Sequence, residues 1–345
     1  MARPTVGGRL DRLDLRLDGG KDAVRARGKG SRLMDTEQRT DSGRGPASSA
    51  ALARAITRRA SAQTYLTIRL LVDRGRTDDA YRAYAYFRWV DDVLDAPTHD
   101  RAARLQFLSR QKQLLEGLLT GMTPANPEPE EQMLADVLAG RRDRHPGLRS
   151  YLDRMMAVME FDAGRRGRLI TGPELAGYTQ LLAGAVMDAI GYFIGHDHVY
   201  PDGAARLQAV TGAHVIHMLR DTADDLEAGY FNVPRAVLEG RRLAPSDIHH
   251  PAYRRWVRER VDEARRCFGE GKWYLRRVGC LRALVAGMLY CARFEVVLRQ
   301  IELDGYQLRS GYDRQPVLRM VLDRFARGHR TAMRGHRRTP TGSAG

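Results

Sequence analysis

From Ser49 onward, proline stands between long apolar-periodic runs rather than inside them, and this limits what the chain can fold into. Pro97, Pro124, Pro127, Pro129, Pro146, Pro173, Pro201, Pro234, Pro245 and Pro251 separate stretches whose Ala, Leu, Met and Tyr recur at helical spacing. Long period-two alternations and Asn-Gly hairpin signals are absent, so nothing reads as a sheet. The pattern predicts an all-α protein, with helices over roughly 49–72, 77–95, 99–121, 130–142, 147–165, 173–195, 202–229, 252–278, 280–304 and 315–328. Thr171-Gly172-Pro173-Glu174 has the form of a capping box and marks one start. The 345 residues, 43% of them apolar, can bury one large core, and short connections point to a single bundle.

The two ends differ from this body. Residues 1–48 are rich in Gly, Arg, Asp and Ser and read as a flexible basic leader; residues 327–345 read as a basic tail, leaving 49–326 as the folded domain. Residues 1–45 contribute +4 and residues 324–345 contribute +6 of the formal net charge of +15, so the body carries only +5. A nucleic-acid binder concentrates its basic residues on the folded part, and no such pattern is present. The basic ends suit either contact with anionic lipid head groups or simple solubility. Arg stands almost everywhere for Lys, as in a GC-rich bacterial coding sequence. Cys267, Cys280 and Cys291 have no metal-ligand spacing and read as buried, reduced thiols of a cytoplasmic protein. The longest apolar run, Ala283 to Cys291, is far short of the ~20 residues that span a bilayer. The protein is expected to be soluble, or peripheral at the inner membrane face.

Two acidic clusters carry the chemistry. The first ends the run Tyr84-Ala85-Tyr86-Phe87-Arg88-Trp89-Val90-Asp91-Asp92-Val93-Leu94-Asp95. Asp91 and Asp95 stack one turn apart on one helix face, with Arg88 a turn before. Carboxylates among apolar residues are costly without a compensating charge. These also stand where Ala96-Pro97 ends the helix and the macrodipole disfavours anions. The second cluster, His214-Val215-Ile216-His217-Met218-Leu219-Arg220-Asp221-Thr222-Ala223-Asp224-Asp225, repeats the design, with His214, His217, Asp221, Asp224 and Asp225 along one stripe. Magnesium takes a few carboxylates, several waters and phosphate oxygens, so facing helices of this kind could hold a diphosphate through bound metal. The plain alternative is two solvated helix ends with Asp–Arg pairs inside each helix. The repetition of cluster, upstream Arg and apolar flank favours the metal.

These residues resemble the squalene/phytoene synthase family. Its first motif, an aromatic helix running into Arg and DDxxD, is similar to Tyr84–Asp95. Its second, Arg-Asp-x-x-(Glu/Asp)-Asp followed by Gly and Pro, is similar to Arg220–Asp225 with Gly229 and Pro234. Its Tyr-containing helix with an Ala-Gly step is similar to Tyr178–Val186. The likeness runs over roughly residues 50–325. It implies an all-α isoprenoid-synthase bundle around a central apolar cavity. It also implies Mg2+-dependent ionisation of an allylic prenyl diphosphate, with Mn2+ as an alternative ion. By the same likeness, Asp91, Asp92, Asp95, Asp221, Asp224 and Asp225 hold metal, and Arg88, Arg220 and His217 contact diphosphate. Tyr178 acts at the reacting carbons beside Asp91 and Asp221. Tyr65, His214, Ala183, Gly184, Tyr230 and Asn232 fall to the substrate pocket.

The chain also departs from the family. Gln63-Thr64-Tyr65 stands where an Arg usually precedes Ser-Phe. His214-x-x-His217 replaces Gln-x-x-Asn, Tyr230 replaces an Arg, and Met187 replaces a Gly. A His can donate to phosphate or stand in for a lost Arg; the His pair with Asp could instead recruit a softer metal such as zinc or manganese, or be satisfied locally. Head-to-head condensation of two farnesyl or geranylgeranyl diphosphates is the leading expectation. A single-substrate terpene synthase or diphosphate-releasing enzyme is the alternative, and a silent isoprenoid-binding protein the alternative outside enzymes. The need for NADPH is open, since no Gly-rich dinucleotide motif is present, and oligomeric state is not readable.

Overall fold

The structure, a computed structural model, describes residues 48–96, 99–122, 124–139, 146–196 and 198–312. The expected leader 1–48 (apart from Ser48), the last expected helix over 315–328 and the tail 327–345 lie outside the described residues.

Among the described residues there are eleven α-helices and no strand. They are α1 (Ser49–Ala60), α2 (Ala62–Leu71), α3 (Thr77–Asp95), α4 (Arg101–Leu119), α5 (Pro129–Ala139), α6 (Pro146–Arg165), α7 (Gly172–Phe193), α8 (Gln208–Glu227), α9 (Arg235–Arg241), α10 (Pro251–Arg277) and α11 (Leu281–Leu303). The all-α expectation holds, and the boundaries follow local chemistry. At the start of α7 the Thr171 N–H donates to Glu174 Oε2 at 2.7 Å, and the Glu174 N–H donates to Thr171 Oγ1 at 3.3 Å. Arg168 and the Thr171 N–H hold the Glu174 carboxyl down at about 2.

Three expectations need correction. The single helix expected over 49–72 is two, because Ser61 is extended (φ −152°, ψ 103°) and its hydroxyl caps α2 by accepting from the Thr64 N–H at 3.0 Å. The helix expected from residue 202 begins as a 3-10 turn over Ala204–Leu207 before α8. The short helix α9 was not expected; it starts behind Pro234 and stops at Arg242, whose φ is 54°.

Six helices close a ring in which α2 packs on α3, α3 on α6, α6 on α7, α7 on α8, α8 on α11, and α11 back on α2. The remaining long helices back this ring: α1 and α5 pack on α3, α4 on α6, and α10 on α8. Inside lies an apolar hollow lined on α2 by Thr67 and Ile68, on α3 by Ala80 and Tyr84, on α7 by Leu182 and Val186, and on α11 by Ala286 and Tyr290. The α8–α10 interface is among the most extensive of the described residues, and glycine makes it possible: a Cβ on Gly271 would overlap the Ala209 backbone, and one on Gly212 would meet the Ala264 carbonyl at 2.9 Å. No helix among the described residues is long and apolar enough to cross a membrane. Cys267, Cys280 and Cys291 are free and buried, as expected. Burial pushes the Cys267 and Cys291 thiols up to about 11 and about 12.

Two outcomes follow. Gly271→Ala forces α8 and α10 apart and should lower unfolding free energy by about 2–3 kcal/mol, read from the urea midpoint. Glu131 of α5 is buried, yet donors from Arg110, Gln111 and the Glu128 N–H outweigh burial and hold its carboxyl below the ordinary range. Its ionised form therefore stabilises the fold above the unfolded pKa, and that contribution is lost as pH falls through the depressed folded pKa. Glu131→Gln should cost about 1.5–3 kcal/mol at pH 7, with the gap to the parent closing in urea titrations below pH 4.5.

Candidate active site

Each acidic cluster separates into an inner pair and an outer acid. On α3, Asp91 and Asp95 are buried at 3% and 9% exposure, whereas Asp92 faces solvent. On α8, Asp221 and Asp225 are buried at 2% and 5%, whereas Asp224 faces solvent. The helical repeat explains the split: residues four apart share the face that each helix turns inward.

The buried acids are compensated by donors from the chain itself. Arg220 forks onto its neighbour Asp221, with Nε–Oδ1 and Nη2–Oδ2 distances of 2.7 Å each. His217 Nε2 lies 3.1 Å from Asp221 Oδ2. Asn232 Nδ2 donates to Asp225 Oδ2 at 2.5 Å, and the Tyr230 hydroxyl donates to Asp95 Oδ1 at 3.2 Å. Arg88 forks onto the outer Asp92 through Nε at 3.1 Å and Nη2 at 2.6 Å. The plain alternative, Asp–Arg pairs inside each helix, is thus present in this structure alongside the inward carboxylates.

A single turn gathers the two clusters. The Tyr230 N–H donates to the Asp225 carbonyl at 2.7 Å while its hydroxyl reaches Asp95, so the segment after α8 touches both. The acidic end adjoins the hollow on α3 and α7. On α3, Tyr84 lines the hollow one turn before Arg88. On α7, Leu182 lines it one turn after Tyr178, whose ring meets His214 of α8 edge-on at 5.0 Å.

Other expected pocket residues stand beside the hollow rather than in its lining. Tyr65 meets the Tyr81 ring at a tilt with centroids 5.5 Å apart, and on its helix Gln63, Thr64, Thr67 and Ile68 face the hollow. Ala183 is fully buried in the core, and Gly184 faces α6, where a Cβ would overlap the Arg154 guanidinium.

Among the described residues, no three His, Cys, Asp or Glu side chains are gathered as a ready metal cage. The donors still fit a hard, largely hydrated ion, because such an ion is held by one or two carboxylates together with substrate phosphates. Asp91, Asp95, Asp221 and Asp225 could supply those oxygens from inside, and Asp92 and Asp224 from the rim.

The squalene/phytoene synthase family model matches residues 57–322. The chain belongs to that family. Family members are prenyltransferases acting on prenyl diphosphates. The crystal structure of the squalene synthase HpnC from Alicyclobacillus acidocaldarius is similar at 22% identity and a TM-score of 0.60, covering 76% of this chain and 95% of that one. A dehydrosqualene synthase solved with a ligand is similar at 16% identity and a TM-score of 0.60, covering 81% of this chain and 97% of that one. These likenesses concern the fold. No curated protein matches the chain.

Sequence reasoning missed two members of this site, Asp162 and Arg165 of α6. Asp162 Oδ2 accepts from the Tyr178 hydroxyl at 2.9 Å, and Asp162 Oδ1 accepts from Arg165 Nε at 2.9 Å. An Asp-x-x-Arg pair shortly after the apolar run Met155–Met159 was the available signal, since buried charges on an apolar face need partners. Tyr230→Phe should remove the hydroxyl bond to Asp95 and cost about 0.5–1.5 kcal/mol in urea unfolding, with helical content unchanged by circular dichroism.

Proposed function

We propose that the protein ionises an allylic prenyl diphosphate, farnesyl or geranylgeranyl, and joins two such chains head to head. The observation that carries this reading is that α3 lines the apolar hollow through Ala80 and Tyr84 and ends in the inward Asp91 and Asp95, to which Tyr230 joins the second cluster. A prenyl tail is apolar and its diphosphate is polyanionic, so one molecule suits both halves. Bound Mg2+ or Mn2+ would supply Lewis-acid stabilisation of the departing diphosphate, held by Asp91, Asp92, Asp95, Asp221, Asp224 and Asp225.

The chain's own residues do the rest. Arg88 and Arg220 exchange their forks onto Asp92 and Asp221 for phosphate oxygens as substrate enters, and His217 adds a donor beside Arg220. The hollow walls keep water from the allylic cation, which otherwise would be captured as an alcohol. Tyr178 stands at the boundary of the two halves with its hydroxyl aimed at Asp162. That is the position from which it can orient the reacting carbons. The catalytic domain is assigned to 49–326.

Two positions favour a second reading. Gln63 and Tyr230 stand where the family carries Arg, which lowers the positive charge available to a second diphosphate. A single-substrate terpene synthase or diphosphate-releasing enzyme would need only one.

Incubation with farnesyl or geranylgeranyl diphosphate and Mg2+, with and without NADPH, should yield a hydrocarbon of doubled carbon number by mass spectrometry. An unchanged carbon number with diphosphate release would establish the single-substrate reading. Asp91→Asn and Asp221→Asn should each lower turnover by about 10³-fold, equivalent to about 4 kcal/mol of transition-state stabilisation. Parental turnover in both variants would remove the carboxylates from the mechanism.

A further inference from the structure

Arg165 is a permanent cation at 3% side-chain exposure, enclosed by the acidic end of the ring. Its Nε donates to Asp162 at 2.9 Å and its Nη1 donates to Asn232 Oδ1 at 3.0 Å. Its guanidinium lies 5.3 Å from the Tyr178 ring centre and 5.4 Å from that of Tyr230. Two neighbours of Arg165 bind the same turn: Arg166 Nε donates to the Ala228 carbonyl at 3.1 Å, and the Gly167 N–H donates to the Gly229 carbonyl at 2.8 Å. The end of α6 is therefore fastened at three points to the segment that follows the second acidic cluster.

The amide of Asn232 has two chemically distinct ends, and its neighbours decide which faces where. A guanidinium only donates, so Oδ1 must face Arg165; an ionised carboxylate only accepts, so Nδ2 must face Asp225. Reversal of the amide would set N–H against N–H and oxygen against oxygen. Asp225 is thereby given one fixed donor in one fixed direction, and its carboxylate orientation is set from a residue on another helix.

We infer that Arg165 is a positioning residue that orients the Asp225 carboxylate through Asn232 while holding Asp162 against the Tyr178 hydroxyl. It links the metal-facing acid to Tyr178, one turn from the hollow-lining Leu182, so both are set by one guanidinium. This inference rests on the proposed role of Asp225 in divalent-ion binding. Partners that orient a ligating carboxylate typically change metal affinity 10–100-fold when removed.

The test is Mn2+ binding in the presence of inorganic diphosphate, counted by electron paramagnetic resonance of free Mn2+ on the full-length protein. Removing Arg165 alone would strand Asp162, so the informative variant is Arg165→Met with Asp162→Asn, which deletes both charges together. This double variant should unfold within a few degrees of the parent and bind Mn2+ about tenfold or more weakly. Asn232→Leu leaves the Arg165–Asp162 pair in place, cuts only the relay, and should weaken Mn2+ binding to a similar extent. If both variants fold and bind Mn2+ like the parent, Arg165 is a charge-neutralising core residue and the inference is overturned. Should the double variant not fold, Asn232→Leu decides by the same criterion. Failure of the parent itself to bind Mn2+ with diphosphate would instead remove the metal reading of the acidic clusters, on which the relay depends.

Discussion

Burying Asp91, Asp95, Asp221 and Asp225 inside an apolar ring of helices is the constraint on which the rest of this structure turns. An uncompensated carboxylate in such surroundings would protonate or draw in water. The chain answers with directed donors: the Arg220 fork and His217 at Asp221, Asn232 at Asp225, and Tyr230 at Asp95. Those donors must themselves be held, which brings in Arg165, Asp162 and the turn after α8. Replacing such a network by apolar residues would often cost no stability. Its presence beside a hollow therefore points to chemistry rather than to folding strength.

The scaffold places the inner acids on helices and takes two of their donors, Tyr230 and Asn232, from the turn after α8. Both inner acid pairs project from long helices, and the helices that carry them are wedged in place by α10 behind α8 and by α1 and α5 behind α3. Close approach of α8 and α10 depends on Gly212 and Gly271. Acids on rigid elements stay within the small tolerance that electrostatic catalysis requires. Along α3 the apolar lining at Ala80 and Tyr84 gives way to the buried acids Asp91 and Asp95, so charge and grease are segregated on one helix.

Much of this was legible in the residue order. Proline placement and three-to-four spacing gave nine expected helices that cover ten of the eleven, α1 and α2 being read as one, because helix punctuation and amphipathic period are local properties. The break at Ser61 was not foreseen, because its cap competes with a continuous apolar pattern and the balance is decided by packing. That Asp91 shares a face with Asp95, and Asp221 with Asp225, followed from their four-residue spacing, whereas Asp224, expected on the same stripe as Asp221 and Asp225, turns to solvent. The pairing of Arg88 with Asp92, and of Arg220 with its immediate neighbour, did not follow, because long side chains choose among several nearby carboxylates only once the surroundings are fixed.

By itself, then, the sequence determined the all-helical class, the two acidic clusters, the capped start at Thr171 and the family motifs around Tyr84–Asp95, Tyr178–Val186 and Arg220–Asp225. These are short-range patterns whose meaning survives without a partner. Only the tertiary structure decided that one turn, Ala228–Asn232, reaches both clusters, that Asp162 and Arg165 belong with them, and that Thr67 rather than Tyr65 faces the hollow. Such facts depend on which faces of distant helices meet, and that is fixed by the packing of the whole ring rather than by any local run of residues.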